Sequence, residues 1–593
     1  VDKVTPQSGT TLTIGDSGDT TNIVGTLQNN GSELTGDISS VVAGTGLSGG
    51  GTSGDVTLNS DLLAKQAGTN FTNSLLVGTS STGTLNDANS NTGVGIGVFG
   101  ALTTGDNNVA VGLNALDVNT TGCFNTALGA STLLVNQTGI CNVAIGASAL
   151  RCNTASNNIA VGVQPLYYNT SGTNNTAIGT KALFCNTTAN NNTALGYNSL
   201  LNNTTGASNV AVGNQALDAN TTGGNNIAIG DNALTSNTTN TTNIAIGASA
   251  LAANNAAGDN IGIGQQAAAA NLSGYHLTSI GHYSLLANTS AQGNTAVGHS
   301  SLRTTTTGAA NTAVGKQTLC KTTTGGNNVA LGYAALCTNT TGADNIAVGY
   351  DALVSNTTGA QNVAVGSLAL CSNTTGDQNV AIGQNSLDSN TEGQKNVAIG
   401  FKALCTNTTA DQVVAVGCGS LISNTTGANN VAVGSLSLEG TTTGSDNTAA
   451  GPASGLSLTT GSNNLLLGHD AGRSNSPNTV TTGSDRIVLG NNSITNAYIR
   501  VDWTVTSDLR DKMNIEPISH GLDFVNQLNP IKFNFKKSRE NATSHGRKKY
   551  GFKAQDILAL EGEDNVIIDN EDPNSLKYIG SHLVPVLVNA IKE

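Results

Sequence analysis

The chain has 593 residues, of which 3% are aromatic and 10% are charged, and it carries a formal net charge of −13. A chain of this length normally folds into several globular domains, but so few aromatic and charged residues argue against an ordinary globular enzyme. Only 12 of the 24 Lys and Arg residues precede Ser507, so most of the chain lacks the basic stripe that nucleic-acid binding requires. No apolar run approaches the roughly 20 residues of a membrane span, so we expect no membrane insertion.

Residues 1–90 are predicted to form a Gly-rich β-structured shaft or linker. Short apolar runs alternate with Gly-rich turns in VVAGTGLSGGGTSGDVTLNSDL, from Val41 to Leu62, and this pattern is typical of slender β structure. The stretch resembles segments that are widespread in bacteriophage tail fibres.

The segment 91–483 is built from one short repeat. The sequence NNVAVGLNALDVNTTG runs from Asn107 to Gly122, and close copies follow it for more than three hundred residues. The glycine that closes AVG or AIG recurs 22 times between Gly112 and Gly468, at a step of 17 residues with one step of 16. Because so short a unit cannot bury a core alone, each unit must use its neighbours as its core. The segment is therefore predicted to be a parallel β-solenoid.

Each repeat predicts one short strand and a second inward-facing segment. Before the glycine stand a β-branched residue, Ala and usually Val, Ile or Leu, as in Val109, Ala110 and Val111. This alternation indicates a strand, and we expect its large residues to face inward and its Ala to face a closely approaching strand or subunit. Leu116, four residues after the glycine, follows the small Ala115 and predicts the second inward segment, while NTTG supplies the return turn.

An asparagine opens the strand in 20 of the 22 repeats, for example Asn108, Asn125 and Asn142. Side chains stacked one coil apart can hydrogen-bond to one another as a ladder. Asparagine is also simply a favoured turn residue. Both interpretations stay open at this point, and both are structural.

The repeats resemble the NSVAIGxxAxA repeat in the head of YadA-type trimeric adhesins, a left-handed parallel β-roll. The resemblance covers roughly residues 90–470, and the present repeat differs by its longer period and its NTTG turn. It implies a homotrimer of parallel rolls. At a rise of roughly 4.8 Å per stacked strand, 22 coils make a rod on the order of 100 Å long.

The chain has nine cysteines, a number that could indicate disulfides, a metal site or a nucleophile. Four of them, Cys320, Cys337, Cys371 and Cys405, share the column five residues after the glycine. Other repeats carry charged and aromatic residues in that column, which predicts an exposed position. Without CxxC spacing or a recurrent histidine, no zinc site is expected. Free thiols or a disulfide between the neighbouring Cys320 and Cys337 both remain open.

One coil departs from the repeat, at Gln265–Tyr283. It loses the NTTG turn and carries Tyr275, His276, His282 and Tyr283. These polar aromatic residues indicate either a ligand site or a variant coil without a function of its own.

The C-terminal part differs in kind. From about Ser484 the composition changes, and the single tryptophan, Trp503, appears. We predict a connector at 484–506 and a separate α+β domain at 507–593. Three ordered motifs in this domain resemble the intramolecular chaperone of endosialidases and phage tail spikes, the peptidase S74 family: SDLRDKMNI at 507–515, YGFKAQDI at 550–557 and LVPVLVNAIKE at 583–593. In that family a helix beginning near Leu583 continues as a coiled coil, whereas the present sequence ends at Glu593.

The resemblance implies a single self-cleavage. The family's nucleophilic Ser and the Lys five residues later match Ser507 and Lys512, and its motif Asp and Arg match Asp508 and Arg510. A serine hydroxyl needs a neutral amine to remove its proton, and burial favours the neutral form of lysine. The attacked carbonyl is that of Thr506, so the reaction has one turnover and requires no cofactor or metal.

The sequence therefore predicts a homotrimeric virion fibre, a tail fibre or tail spike for host attachment, located on the extracellular virion. Its expected partners are a host surface receptor, either a glycan or a surface protein, and other virion tail proteins. A repeat this regular is prone to slip by one coil, and a self-removing chaperone that sets the register addresses that hazard. The alternative is a bacterial cell-surface trimeric adhesin. A polysaccharide-degrading spike is disfavoured because no paired carboxylates recur along the repeat.

Overall fold

The fold is known from a computed structural model of the chain. It describes residues 70–78, 82–473, 476, 479–494, 498, 500, 507–536, 542–562, 566–570, 573 and 576–593. The backbone of five N-terminal strands is also described: β1 (Gln28–Asn29), β2 (Ser32–Glu33), β3 (Leu47–Gly49), β4 (Leu58–Ser60) and β5 (Lys65–Gln66). Strand β1 pairs antiparallel with β2, and β3 pairs antiparallel with β4. Thr506 and Trp503 lie outside the described residues.

The chain divides into two compact units, Val1–Asn191 and Asn192–Glu593. In the first unit, strands of three residues follow one another at the repeat spacing, and each is hydrogen-bonded in parallel to the next. They are β6 (Leu75–Val77), β7 (Thr92–Val94), β8 (Val109–Val111), β9 (Thr126–Leu128), β10 (Val143–Ile145), β11 (Ile159–Val161) and β12 (Thr176–Ile178).

The second unit continues with the same kind of parallel coil. The register joins equivalent repeat positions, as in Ile346 opposite Val363 and Ala347 opposite Ala364. Its strands are β13 (Thr193–Leu195), β14 (Val210–Val212), β15 (Ile227–Ile229), β16 (Ile244–Ile246), β17 (Ile261–Ile263), β18 (Thr278–Ile280), β19 (Thr295–Val297), β20 (Thr312–Val314), β21 (Val329–Leu331), β22 (Ile346–Val348), β23 (Val363–Val365), β24 (Val380–Ile382), β25 (Val397–Ile399), β26 (Val414–Val416), β27 (Val431–Val433), β28 (Thr448–Ala450), β29 (Leu465–Leu467) and β30 (Ile487–Leu489). The predicted parallel β-solenoid is confirmed.

The orientation predicted for the strands is wrong. Ala110 is fully buried, whereas its neighbours Val109 and Val111 are 38% and 37% exposed. The same pattern, with the middle residue buried and the flanking residues outside, recurs along the coils. The second predicted inward segment is confirmed, since Ala115 and Leu116 are fully buried.

The reason is the thinness of the coil, in which the strand packs directly against the leucine column. At Gly262, in the Ala column, an added Cβ would lie only 2.9 Å from the side chain of Leu251. Interior volume is therefore shared between the two columns, and large residues on the strand must point outward. In the coil of β29 the large and small side chains are exchanged. The buried Leu466 occupies the Ala column, and Gly455 occupies the position where other coils have leucine.

The asparagine ladder is confirmed. Asn345 donates from its backbone N–H and its Nδ2 to Oδ1 of Asn328, at 3.0 and 3.2 Å. Its own Oδ1 accepts the same two bonds from Asn362, and its Nδ2 also donates to the Gly359 carbonyl at 2.9 Å. A second ladder, not foreseen from the sequence, is formed by the asparagine of the NTTG turn, as in the 2.9 Å bond from Asn356 to Asn339.

The C-terminal region is α+β, as predicted. A short 3-10 helix (Leu509–Asp511) is followed by α1 (Leu522–Gln527), β31 (Ile531–Lys536), β32 (Ser544–Gly551), α2 (Ala554–Glu561), β33 (Ile568–Asp569), β34 (Lys577–Tyr578) and α3 (Gly580–Lys592). β31 pairs antiparallel with β32, and β33 with β34. The helices meet around an apolar core formed by Phe524, Ile557, Ile567, Ile568, Leu583 and Val586. Within the described residues, every helix is too short or too polar to span a bilayer.

Candidate functional site

The predicted nucleophile and base are brought together at the start of the C-terminal domain. The Lys512 Nζ donates to the Ser507 Oγ at 2.7 Å. The 3-10 turn over Leu509–Asp511 carries the chain back so that the two side chains meet across five positions. The distance is within the range required for proton transfer between a hydroxyl and an amine.

Asp508 and Arg510 hold this turn. The Asp508 carboxylate caps it by accepting from the Arg510 backbone N–H at 2.9 Å, and it also pairs with the guanidinium, with 2.6 Å between Arg510 Nη2 and Asp508 Oδ2. These bonds lower the pKa of Asp508 and raise that of Arg510. Both residues hold the backbone of the turn that lies between Ser507 and Lys512.

The dyad is exposed in the single chain. Ser507 and Lys512 both lie at the surface, and they are preceded by the carbonyl of Thr506, which falls outside the described residues. The two side chains are therefore in contact with each other at the surface of a single chain.

The fold supporting the site uses residues that the sequence analysis did not single out. The buried Glu561 accepts from the backbone N–H groups of Val566, Ile567 and Ile568, and so closes the loop after α2. The Glu593 carboxylate accepts from the Leu522 N–H at 2.6 Å, joining the end of α3 to α1. Carboxylates bound to backbone across a sequence gap leave no spacing signal, which is why the sequence alone did not reveal them.

Helix α3 has two apolar faces. Leu583, Val586 and Ala590 face the domain core. A second stripe, at i, i+3, i+4 and i+7, is exposed: Val584 by 56%, Leu587 by 37%, Val588 by 46% and Ile591 by 84%. Such spacing is the seam by which helices pack against each other.

The irregular coil does not gather its polar aromatic residues into one cluster. Tyr275 and His276 form an edge-to-face pair at 4.9 Å. His282 instead stacks on Tyr283 at 3.7 Å and meets His299 of the next coil at 5.4 Å. The nine cysteines are all free, and the four in the shared column are half-buried, not exposed as expected.

Comparison with known proteins bears on the C-terminal domain. Residues 507–567 match the family described as Chaperone of endosialidase, peptidase S74. The match begins at Ser507, includes both members of the dyad and identifies a chaperone-of-endosialidase domain after the solenoid. Neither the curated proteins nor the solved structures contain a match to this chain.

Proposed function

We propose that this chain forms a homotrimeric virion fibre, a tail fibre or tail spike for host attachment, whose C-terminal domain directs assembly and then removes itself. The observation that carries the proposal is the 2.7 Å contact between Ser507 and Lys512 inside the matched chaperone domain. A solenoid of near-identical coils supports the need for such a domain, because a slip by one coil preserves most contacts between chains.

Two apolar surfaces support the trimer. The exposed stripe on α3 supplies a helical seam. Along the solenoid, the strand residues that flank the buried Ala column are half-exposed, as at Ile346 (40%) and Ile382 (39%). Repeated outward-facing apolar residues favour burial against another chain. The residues proposed to meet a neighbouring subunit are thus the β-branched columns and not the Ala column.

In the cleavage step, Ser507 Oγ attacks the carbonyl carbon of Thr506 while Lys512 takes the hydroxyl proton. The peptide nitrogen of Ser507 leaves, takes up a proton and becomes an amine, and the acyl group is carried as an ester on Oγ. Water then hydrolyses the ester, giving a new carboxyl terminus at Thr506 and restoring the hydroxyl. Packing of three domains around the exposed dyad supplies the desolvation that favours neutral lysine.

The experiment for host attachment is immunolabelling of purified virions and of washed cells with antibody against residues 91–483. Labelling at the virion tail, together with inhibition of adsorption by the antibody, is expected. Labelling confined to the cells would overturn the virion assignment and support the cell-surface adhesin. The receptor, either glycan or surface protein, is then distinguished by enzymatic removal of each from the host surface.

A further inference from the structure

Two cysteines on neighbouring coils of the solenoid lie side by side. Cys320 and Cys337 are 17 positions apart and occupy the same column of consecutive repeats. Equivalent positions on stacked coils have Cα atoms about 4.8 Å apart, within the range that a disulfide bridges without backbone movement. Both thiols are half-buried and free.

Backbone hydrogen bonds hold Cys320 and Cys337 next to each other on adjacent coils. Hydrogen bonds to the next coil flank Cys320 on both sides, from the Leu319 N–H to the Ala335 carbonyl at 3.0 Å and from the Lys321 N–H to the Cys337 carbonyl at 2.9 Å. The two side chains are therefore held next to each other by the same bonds that stack the coils.

The two thiols differ in ionisation. A hydrogen bond from Cys337, aided by the nearby cations Arg303 and Lys321 and opposed by burial, lowers the pKa of Cys320 to about 6. The same hydrogen bond, together with burial, raises the pKa of Cys337. Cys320 is thus the more readily ionised of two adjacent thiols, which suits it to attack and Cys337 to resolve.

Cys371 lies in the same column but has a different environment from that of Cys320. Cys371 donates from its sulfur to the Asp388 carboxylate on the next coil at 2.6 Å. Burial and this hydrogen bond raise the pKa of Cys371 to about 12. Asp388 also separates Cys371 from Cys405, so neither of these two has a cysteine in the same column of an adjacent coil.

We propose that Cys320 and Cys337 are an oxidation site at which a small-molecule disulfide converts two free thiols into a covalent tie between consecutive coils. The Cys320 thiolate attacks one sulfur of the oxidant, whose S–S bond breaks and releases one thiolate that is protonated by water. The Cys337 sulfur gives up its proton and attacks Cys320 in the mixed disulfide, releasing the second small thiol. Two protein thiols are oxidised and one small disulfide is reduced.

The test treats the reduced full-length protein with oxidised glutathione and maps its cysteines by mass spectrometry after blocking free thiols. A linked peptide containing Cys320 and Cys337, lighter by two hydrogens than the free pair, is expected, while Cys371 and Cys405 remain alkylatable. In Cys337→Ser, Cys320 should accumulate as the glutathione adduct. In the reduced protein, Cys320 should be alkylated at least about tenfold faster than Cys371. The oxidised rod should unfold at a higher temperature, and dithiothreitol should reverse this shift, because the bond restricts the unfolded chain.

Alkylation of Cys320 no faster than Cys371, together with absence of the linked peptide, would overturn the proposal. A linkage between different chains, seen as a covalent dimer on a non-reducing gel, would overturn it as well. Neither result depends on the cleavage reaction at Ser507.

Discussion

At the scale of the residue, each coil contains residues in strained backbone conformations, and interactions between stacked coils must offset their cost in free energy. In the coil of β8, three non-glycine residues have positive φ: Asn107 at 57°, Asn114 at 55° and Leu116 at 52°. A left-handed conformation costs a leucine on the order of 1–2 kcal/mol. Hydrogen bonds from one coil to the next recover this free energy, and among them the buried asparagine ladder is continuous over many coils.

Breaking one rung of the ladder should therefore destabilise the rod. In Asn345→Ala, the Asn362 backbone N–H loses its acceptor and the Gly359 carbonyl loses one of its two side-chain donors, keeping that from Asn356. Because both groups are buried, we expect a loss of about 1–3 kcal/mol in the free energy of unfolding. Chemical denaturation measures this change. Thr358→Ala, at an exposed position of the neighbouring turn, is the matched control, and equal midpoints for the two variants would show that the ladder is not stabilising.

At the scale of the element, the coil is a two-sided sandwich in which an Ala from the strand and a Leu from the return segment share a fixed volume. In the coil of β29 the large residue lies on the strand and the small residue lies on the return segment. A Cβ on Gly455 would lie 2.6 Å from Leu438 Cδ2 and 2.7 Å from Leu466 Cδ1. The backbone at Gly455 has φ of 65°, close to that of the leucine in other coils, so the side chains of Leu438 and Leu466, and not the backbone conformation, exclude a leucine there.

The double exchange is the sharpest test of this packing rule. Gly455→Leu alone should cost about 1–3 kcal/mol through overpacking, and Leu466→Ala alone about 2–5 kcal/mol through the cavity it leaves. The two together restore the arrangement of the other coils, so the double variant should lie within about 1 kcal/mol of wild type. Denaturation of all four proteins gives the coupling free energy. Simple addition of the two single costs would refute the shared volume.

The period, the parallel coil and the inward leucine were predictable from the sequence because they depend only on spacing. Which face of the strand points inward was not predictable, because Val-Ala-Val alternates equally well in either orientation. Only the width of the coil decides which residues are buried. The candidate site was also only partly predictable. Ser507 and Lys512 follow from a motif, whereas Glu561 and Glu593 act through contacts with the backbone that a sequence pattern does not record.

At the scale of the whole molecule, a repetitive solenoid is followed along the chain by a chaperone-of-endosialidase domain, and we propose that this domain sets the register of the solenoid. The dyad and the apolar stripe on α3 are both exposed in a single chain. Association of three chains would complete both at once, and so couple cleavage to correct assembly.

A charge in the α3 stripe should separate assembly from folding. Val588 is 46% exposed, so Val588→Glu should leave the fold of the domain intact while its charge resists burial in a helical seam. We expect loss of the trimer in multi-angle light scattering, with circular dichroism unchanged, and at least about tenfold slower cleavage. Gln555→Glu adds the same charge at an exposed position of α2 and should remain trimeric. A trimer that persists in Val588→Glu would remove α3 from the interface.

The most direct measurement of the central claim is the intact mass of the chain, taken together with the oligomeric mass, for wild type, Ser507→Ala and Lys512→Ala. The account predicts that wild type yields two fragments, ending at Thr506 and beginning at Ser507, and that the first fragment remains trimeric. It predicts that both variants stay full-length and still form trimers, and that denaturant stops wild-type cleavage until refolding restores it. Cleavage between Thr506 and the substituted residue in Ser507→Ala would contradict the dyad, and a stable, uncleaved wild-type monomer would contradict the account as a whole.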